Sequence, residues 1–418
     1  MVEYGKILLI AMPAFLVLVL LEKLYGWYRG DDTVPLDDAI SSLSSGMTNV
    51  LKDVLGLSVS IITYEWLVGE MALFTIDNTI VVYFIAFMVI DFYGYWTHRI
   101  SHKINLFWNE HVIHHSSEEF NLACALRQPV STIVRFFTIL LIPAAILGVP
   151  AEVIATVLPL HLFMQFWYHT RHINKMGILE YILVTPSHHR VHHAINEEYL
   201  DKNLSQIFIF WDFIFGTFQK ELDDVPPVYG ISRPASTRNP FKINFQHLWI
   251  MVKDAWRAEK FTDKITIWFR PTGWRPAGFD EKYPVHKIDD VYQFDKYKPK
   301  LSNALLYWSI AHLFVVMFFL LDLFARLGSL PAIEILVYGI YIFITIYSLT
   351  DLMDKNPFNW ISELLRSIFL IGIALWFQDW FGHDLILYAV LCYQAVAFTI
   401  SFMHRKDDTA NRVNMSYQ

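Results

Sequence analysis

Long apolar segments alternate with short polar connections along most of the chain, and this alternation is its dominant pattern. A helix needs about 20 predominantly apolar residues to cross the hydrocarbon core of a bilayer. Nine segments come close to that length, and we predict each as a membrane span: 7–24, 54–74, 80–96, 130–149, 151–167, 304–324, 333–349, 361–377 and 385–402. The pattern therefore predicts an all-α fold, a polytopic membrane helical bundle of about nine spans.

The composition agrees with this prediction, because 55% of the 418 residues are hydrophobic and only 17% are charged. The two cysteines are far apart in sequence and match no metal-binding motif, and a disulfide scaffold normally uses more of them. The net charge is -7 and the basic residues are scattered along the chain. These features argue against a secreted scaffold and against a nucleic acid partner.

The distribution of Lys and Arg in the short connections predicts how the spans are oriented. Three predicted spans, the third, fifth and ninth, run into basic pairs: Arg99 and Lys103, Arg171 and Lys175, and Arg405 and Lys406. The opposite connections, 69–78, 148–150 and 378–384, contain no Lys or Arg. We therefore expect a multi-pass integral membrane protein with its N-terminus outside or lumenal and its C-terminus cytosolic.

Twelve of the seventeen histidines lie between His98 and His193. Residues three and four apart share one face of a helix, so closely spaced histidines can present several rings to one point. The spaced sets are His98-x3-His102, His111-x2-His114-His115 and His189-x2-His192-His193, with His169 between them. Imidazole suits Fe, Zn, Cu and Ni. Because eight or nine ligands exceed what one ion takes, the sequence predicts two metal ions at the cytosolic ends of the third and fifth spans.

The sequence leaves open whether two further histidines bind a metal ion or belong to the outer shell around the ligands. They are His188, which adjoins His189 but points away from its face, and His172. The isolated histidines are interpreted as structural: His161, His247, His286, His312, His383 and His404. Five carboxylates could orient ligand rings through hydrogen bonds: Asp91, Glu110, Glu118, Glu119 and Asp212. The chain contains neither His-Glu-x2-His nor Gly-x-Ser-x-Gly, which argues against a zinc peptidase and a serine hydrolase.

Several runs around the histidines carry a family resemblance: Tyr95 to Arg99, His114 to Glu118, Asn121-Leu122, Ala125 to Gln128, Gln165 to Thr170, Thr185 to His193, Asp201 to Asn203 and Trp211 to Phe218. With the histidine motifs, they resemble the fatty acid hydroxylase and sterol desaturase superfamily of membrane di-iron enzymes. Within it the chain resembles the alkylglycerol monooxygenase family, tetrahydrobiopterin-dependent enzymes of ether lipids. One departure is Lys103, where an acid would be expected in animal members.

The resemblance implies a cytosolic histidine-rich cap that holds two iron ions. By motif position it implies nine ligands: His98, His102, His111, His114, His115, His169, His189, His192 and His193. It also implies a membrane lipid and O2 as substrates, hydroxylation of the carbon beside an ether oxygen, and electrons from tetrahydrobiopterin. The residues identify neither a catalytic side chain nor a pterin-binding side chain.

On this basis we divide the chain into N-terminal spans (1–80), a di-metal catalytic region (81–220), a cytosolic segment (221–302) and C-terminal spans (303–418). One alternative is a hydroxylase or desaturase of a fatty acyl chain or sterol that takes electrons from a donor protein. Another is a metal transporter, although a transporter should carry its ligands in mid-membrane. Whether the membrane is the endoplasmic reticulum or a bacterial inner membrane stays open.

Overall fold

The computed structural model describes residues 2–76 and 79–404, and most of them are helical. The first half contains α1 (Val2–Arg29), α2 (Leu36–Val54), α3 (Tyr64–Met71), α4 (Ile80–Lys103), α5 (Asn105–His115), α6 (Ile142–Ile146), α7 (Ala151–Phe163), α8 (Pro186–His192) and α9 (Phe210–Phe215). The second half contains α10 (Pro240–Arg257), α11 (Phe261–Thr266), α12 (Phe279–Lys282), α13 (Asn303–Ala325), α14 (Ala332–Met353), α15 (Asn359–Phe377) and α16 (Asp384–His404). The prediction of an all-α fold is confirmed.

The strands are minor. Strands β1 (Val59–Ser60) and β2 (Val134–Arg135) pair in parallel, with Val59 opposite Val134. Short 3-10 turns complete the described elements: Cys124–Leu126, Phe137–Leu141, Gly177–Tyr181, Glu197–Tyr199 and Ile267–Phe269.

Six helices in the described ranges are long and apolar enough to cross a membrane: α1, α4, α13, α14, α15 and α16. They correspond to the first, third, sixth, seventh, eighth and ninth predicted spans. The predicted count of nine is not confirmed, because segments 54–74, 130–149 and 151–167 form shorter elements. The protein is an integral membrane protein by its apolar helices, and Arg405 and Lys406, used above for the orientation, lie outside the described residues.

Backbone geometry explains why the remaining apolar segments do not form long helices. Gly56 has a φ of +65° just after α2, and the chain continues into β1. Gly148 has a φ of +74°, and a Cβ placed there would lie 1.9 Å from the carbonyl oxygen of Phe74, so this turn packs tightly on the connection after α3. Apolar composition determines how much of a segment can be buried, but it does not require a long helix. Turns at glycine end a helix, and strand pairing satisfies backbone hydrogen bonds that a helix would otherwise satisfy.

Contacts between helices give their directions. Gly5, near the start of α1, packs against Phe324 and Leu327 at the end of α13, so these two helices are antiparallel. The end of α1 leads to Thr33, whose hydroxyl lies 3.0 Å from His172. Ser401, near the end of α16, contacts Asn359 at the start of α15. The start of α1 and the end of α16 therefore lie at opposite ends of the bundle.

The apolar core has two main parts. In the larger one α2 and part of α1 pack against α13 to α16. In the smaller one α4 packs against α7 and the turn before it. Helix α10 packs on both α5 and α2, and Arg238 just before it forms an ion pair with Asp38 of α2 at 2.9 Å. These contacts hold the polar segment, residues 221–302, over the end of α4.

Candidate metal centre

Four elements bring the clustered histidines to one end of the bundle. Helix α4 carries His98 and His102 one turn apart, and both side chains are buried. At Ile104 the backbone becomes extended, with φ −123° and ψ 127°, and the chain turns into α5, which packs against α4. Helix α8 and the segment after α7 supply the remaining rings.

The nine predicted histidines form two groups, and in each group the ligand nitrogens all lie within 4.8 Å of one another. The first group, called group A below, comprises His98, His102, His111, His115 and His192. The second, group B, comprises His114, His169, His189 and His193. Neighbours in sequence are thus separated, because His114 and His115 lie in different groups, as do His192 and His193.

Hydrogen bonds fix the tautomer of several rings. The Nδ1 atoms of His98, His169 and His192 lie 2.8, 3.0 and 3.0 Å from the backbone carbonyl oxygens of Leu204, Gln165 and Lys202. A carbonyl oxygen can only accept, so each Nδ1 carries the proton and each Nε2 presents a lone pair. These residues therefore turn Nε2 toward their groups.

The Nε2 atoms approach one another closely. His98 and His111 are 2.9 Å apart at Nε2, and His192 and His115 are 3.1 Å apart. In group B the Nε2 atoms of His169 and His189 are 2.9 Å apart. Within the described ranges the buried Nε2 of His102 has no hydrogen-bond partner. Converging buried lone pairs are costly unless cations or protons lie between them.

Burial determines the charge of these rings. It lowers the pKa of His169 to about 3, since desolvation disfavours the imidazolium. Burial, reinforced by the neighbouring imidazoles, holds the pKa well below 6.5 in His111, His114, His115, His189, His192 and His193. These seven rings are neutral near pH 7, which is the form that binds metals. The donor set therefore fits two metal ions.

A carboxylate orients one ring of group A. Asp201 accepts a hydrogen bond from His102 Nδ1 at 3.2 Å and pairs with Lys103 at 2.6 Å. Although burial opposes it, these two hydrogen bonds lower the pKa of Asp201 to about 2. The sequence reasoning did not assign Asp201 this role, although it begins the Asp201 to Asn203 run quoted above. Its backbone is left-handed, with φ +56°, a conformation in which Asp is enriched among non-glycine residues.

Asp91 and Asp212 act on the site through the backbone. Asp212 accepts from the amides of Leu204 and Ser205 at 2.8 and 2.9 Å. Asp91 accepts from the amide of Ile207 at 3.0 Å and also contacts His161, at 2.8 Å. Together they fix the segment whose Leu204 carbonyl orients His98. Their described contacts include no ring of group A or group B, so the predicted hydrogen bonds from these two carboxylates to ligand rings are not observed.

The other predicted carboxylates contact different partners. Glu118 accepts from the amide of Tyr297 at 2.5 Å, and Glu119 pairs with Lys296 at 2.7 Å. Burial raises the pKa of Glu110 to about 7. These residues bind the polar segment or lie beside α2, and their described contacts do not include a ring of either group.

The two open histidines lie outside both groups. His188 is buried and completes a capping box with Thr185 at the start of α8. His172 lies 3.0 Å from the hydroxyl of Thr33 and packs edge-on against Tyr25. His188 therefore stabilises the helix that carries His189, and His172 joins α1 to the segment after His169.

Fold and site together define a class: an integral membrane protein with two adjacent all-imidazole groups at one end of its helices. The fatty acid hydroxylase family model matches residues 83–217, which contain all nine rings. The chain is 35% identical to alkylglycerol monooxygenase of Homo sapiens over 379 residues, covering 89% of this chain and 82% of that one. The chain belongs to the alkylglycerol monooxygenase family.

Other relatives mark the extent of the likeness. Alkylglycerol monooxygenase of Xenopus tropicalis is 32% identical over 363 residues, covering 85% of this chain and 79% of the relative. Ornithine lipid hydroxylase OlsE of Rhizobium tropici is 28% identical over 155 residues, 37% of this chain and 43% of the relative. No solved structure matches the chain.

Proposed function

We propose that the protein is a membrane monooxygenase that uses O2 to hydroxylate a lipid, at the carbon beside the ether oxygen of an alkylglycerol. Relatives named alkylglycerol monooxygenase match most of the chain. The observation that carries the proposal is the pair of all-imidazole groups inside the stretch that matches the fatty acid hydroxylase model. Imidazole ligands hold redox-active metal ions, which can activate O2.

The proposed metal is iron, with one ion in each histidine group. Zinc has no redox chemistry of its own, so a monooxygenase favours iron over zinc among the ions that imidazole suits. Bound iron would supply the activation of O2. The contribution of the chain is to bury the rings away from bulk water and to turn Nε2 inward through hydrogen bonds at Nδ1.

The proposed reaction is balanced by two electrons and two protons. One atom of O2 enters the C–H bond beside the ether oxygen, and the other leaves as water. The product is a hemiacetal, which collapses to an aldehyde and a glycerol derivative. We propose tetrahydrobiopterin as the electron donor, and an electron donor protein acting on the same site is the alternative.

The proposed arrangement places the histidine end of the bundle at the cytosolic face, in the endoplasmic reticulum or a bacterial inner membrane. It is supported by Arg99, Lys103, Arg171 and Lys175, which are close in sequence to the histidines. Helix α4 is apolar and ends in the site, so a lipid tail can stay in the membrane while its polar end reaches the rings. The division at residues 80, 220 and 302 is kept as part of this proposal.

The test combines metal analysis with turnover by the purified full-length protein. We expect about two irons per chain and O2-dependent cleavage of alkylglycerols that requires tetrahydropterin. Replacing His114 or His192 by Ala should abolish turnover and lower the iron content, whereas the matched control His286→Ala, at an exposed histidine, should preserve both.

A folded protein without a transition metal would refute the proposal. Turnover of fatty acyl or sterol substrates without pterin would favour the hydroxylase or desaturase alternative. Metal uptake into proteoliposomes, with no oxygenase activity, would instead identify a transporter.

A further inference from the structure

Helix α10 exposes large apolar side chains and buries polar ones. Its buried face mixes Ile243 and Met251 with Asn244, His247 and Asp254. Its exposed face carries a stripe of large apolar side chains at intervals of three or four residues: Phe245, Trp249, Val252 and Trp256. The two tryptophans are 60% and 84% exposed. A helix at a water-facing surface normally has the opposite arrangement, with polar residues outside and apolar residues toward the core.

The exposed stripe continues after α10. Helix α11, which packs against α10, and the 3-10 turn that follows it expose three more large apolar side chains at intervals of four residues: Phe261, Ile265 and Phe269. These seven side chains are called the aromatic face below. Exposed apolar patches larger than those of ordinary soluble surfaces mark sites of contact with a protein or a membrane.

Both ends of this unit are tied to the ends of membrane helices. Asn239, just before α10, donates to the carbonyl oxygen of Tyr347 near the end of α14, at 3.2 Å. Asn105, just after α4, donates to the carbonyl oxygen of Ile267 at 3.0 Å. Helices α4 and α14 are both long and apolar enough to span a bilayer, and Trp is enriched where spans reach the interface. The unit therefore runs between two span ends, at the level of the membrane surface.

Basic side chains accompany the aromatic face. Residues 240–270 contain six Lys or Arg and three Asp or Glu, and the acid Asp254 is buried in an ion pair. Lys253 lies one helical turn from each tryptophan of the face, where a long side chain can keep its stem in apolar surroundings and its ammonium at the headgroups. Arg257 and Lys260 are exposed at the end of α10. Such cations are attracted to anionic lipid headgroups.

We propose that α10, α11 and the turn Ile267–Phe269 lie in the plane of the membrane surface, with the aromatic face inserted into the bilayer and the basic side chains on anionic lipid headgroups. Helices that bind in this way carry Trp and Phe on one face and Lys or Arg beside it. Helix α10 does not cross the membrane, because its buried polar residues contact the chain on its other side. This inference concerns membrane contact and is independent of the proposed reaction.

The buried side of α10 connects this surface to the histidine site. His247 donates to the carbonyl oxygen of Asn105 at 3.1 Å, and the side chain of Asn109 accepts from the amide of Leu248 at 3.0 Å. Asn105 and Asn109 belong to α5, which also carries three of the nine clustered rings: His111, His114 and His115. The attachment of α10 to the lipid surface therefore fixes the height of α5, and of its rings, relative to the bilayer.

The test measures the depth of the aromatic face in purified full-length protein held in lipid nanodiscs. Trp249→Cys and Trp256→Cys, each combined with Cys392→Ser, provide one accessible thiol for a nitroxide label, because the remaining Cys124 is buried. The matched control is Asp289→Cys, at an exposed polar position of the same segment. Collisions of the label with O2, which concentrates in lipid, are compared with collisions with a neutral nickel chelate, which stays in water.

We expect the labels at positions 249 and 256 to lie about 5–10 Å into the boundary between headgroups and acyl chains, and the label at position 289 to lie in water. Labels at 249 and 256 that meet the chelate as often as the label at 289 would overturn the inference. Low collision rates with both reagents would also overturn it, because protein would then cover the face, either a second copy of the chain or residues 405–418.

The charge is tested by lipid composition. The label at position 256 should lie deeper in nanodiscs of phosphatidylcholine with phosphatidylserine than in phosphatidylcholine alone. Lys253→Gln combined with Lys260→Gln should remove this difference, whereas Lys253→Arg combined with Lys260→Arg should keep it. The assignment to anionic lipid fails if the depth is the same in both lipids, or if the Gln variant retains the difference.

Discussion

The histidine site and the C-terminal bundle both bury polar groups, but they treat them differently. In the bundle of α13 to α16, Glu363 and Arg366 are almost fully buried and form an ion pair at 2.8 Å. Gln394 and Ser348 donate to Glu363 at 2.9 and 2.6 Å, and Arg366 donates to His312 at 3.1 Å. Here the charges are balanced by side chains of the same chain.

At the histidine site no such balance exists among the ligand atoms. Nine rings converge through their Nε2 atoms, and burial lowers the pKa of rings in both groups, such as His189 and His192. The carboxylates nearby reach the backbone or the outer nitrogen of a ring, as Asp201 does with His102. The comparison teaches that burial of polar residues does not by itself indicate a ligand site. A network in which opposite charges pair contributes to structure, whereas converging unpaired acceptors require something from outside the chain.

The largest effect, on metal content and activity, should appear when one imidazole ring is removed from the histidine site. We expect His192→Ala to remove at least one metal ion from the protein and to lower activity by more than the roughly 100-fold upper range found for outer-shell partners. The measurement is metal content by mass spectrometry together with turnover. Unchanged metal content in His192→Ala would show that group A does not hold a metal through this ring.

In the C-terminal bundle, removal of one partner of the buried ion pair should lower stability and not metal content. Arg366→Met leaves Glu363 buried without its partner, so we expect the free energy of unfolding to fall by about 3–5 kcal/mol. Metal content per folded molecule should not change. The double variant Arg366→Met with Glu363→Leu is the control and should regain most of the stability, measured by unfolding in detergent. If iron were lost together with Arg366, the two regions would not be independent.

A smaller effect is expected for a residue that hydrogen-bonds to a ligand histidine but belongs to neither histidine group. Asp201→Asn keeps the shape of the side chain but removes the carboxylate that orients His102, so metal affinity should fall by about 10–100-fold. Competition with a chelator measures this affinity. An affinity within twofold of the original would mean that the hydrogen bond at His102 Nδ1 is not needed.

The smallest effect is expected at the surface. Lys103→Gln removes an ion pair to Asp201 whose lysine side chain is 54% exposed, and such pairs contribute at most about 1 kcal/mol. We therefore expect stability and metal affinity to change little, by the same two assays. A loss as large as that of Asp201→Asn would show that Lys103, and not the carboxylate alone, sets the position of His102.

Much of the site could be predicted from sequence because its chemistry is written in residue type and spacing. All nine histidines singled out by the motifs lie in the two groups. Helix geometry predicts only part of their division between groups, since adjacent residues on a helix point about 100° apart. His114 and His115 must therefore diverge. Helix geometry does not predict that His111 and His114, which are three residues apart and share a face, lie in different groups. The place of His169, on a segment outside the helices, and the role of Asp201 depend on chain folding far from their own neighbours.

The sequence by itself determined the helical membrane class and the all-imidazole donor set, and it predicted more than one metal ion. Only the tertiary structure decided that three apolar segments form short elements and that the rings divide into groups of five and four. It also decided that Arg366 pairs with Glu363, whereas the Nε2 of His102 has no hydrogen-bond partner among the described residues. The reason is physical. Hydrophobicity and helical spacing act between near neighbours, whereas burial, tautomer choice and cavities arise from contacts such as His98 with Leu204, which are 106 residues apart.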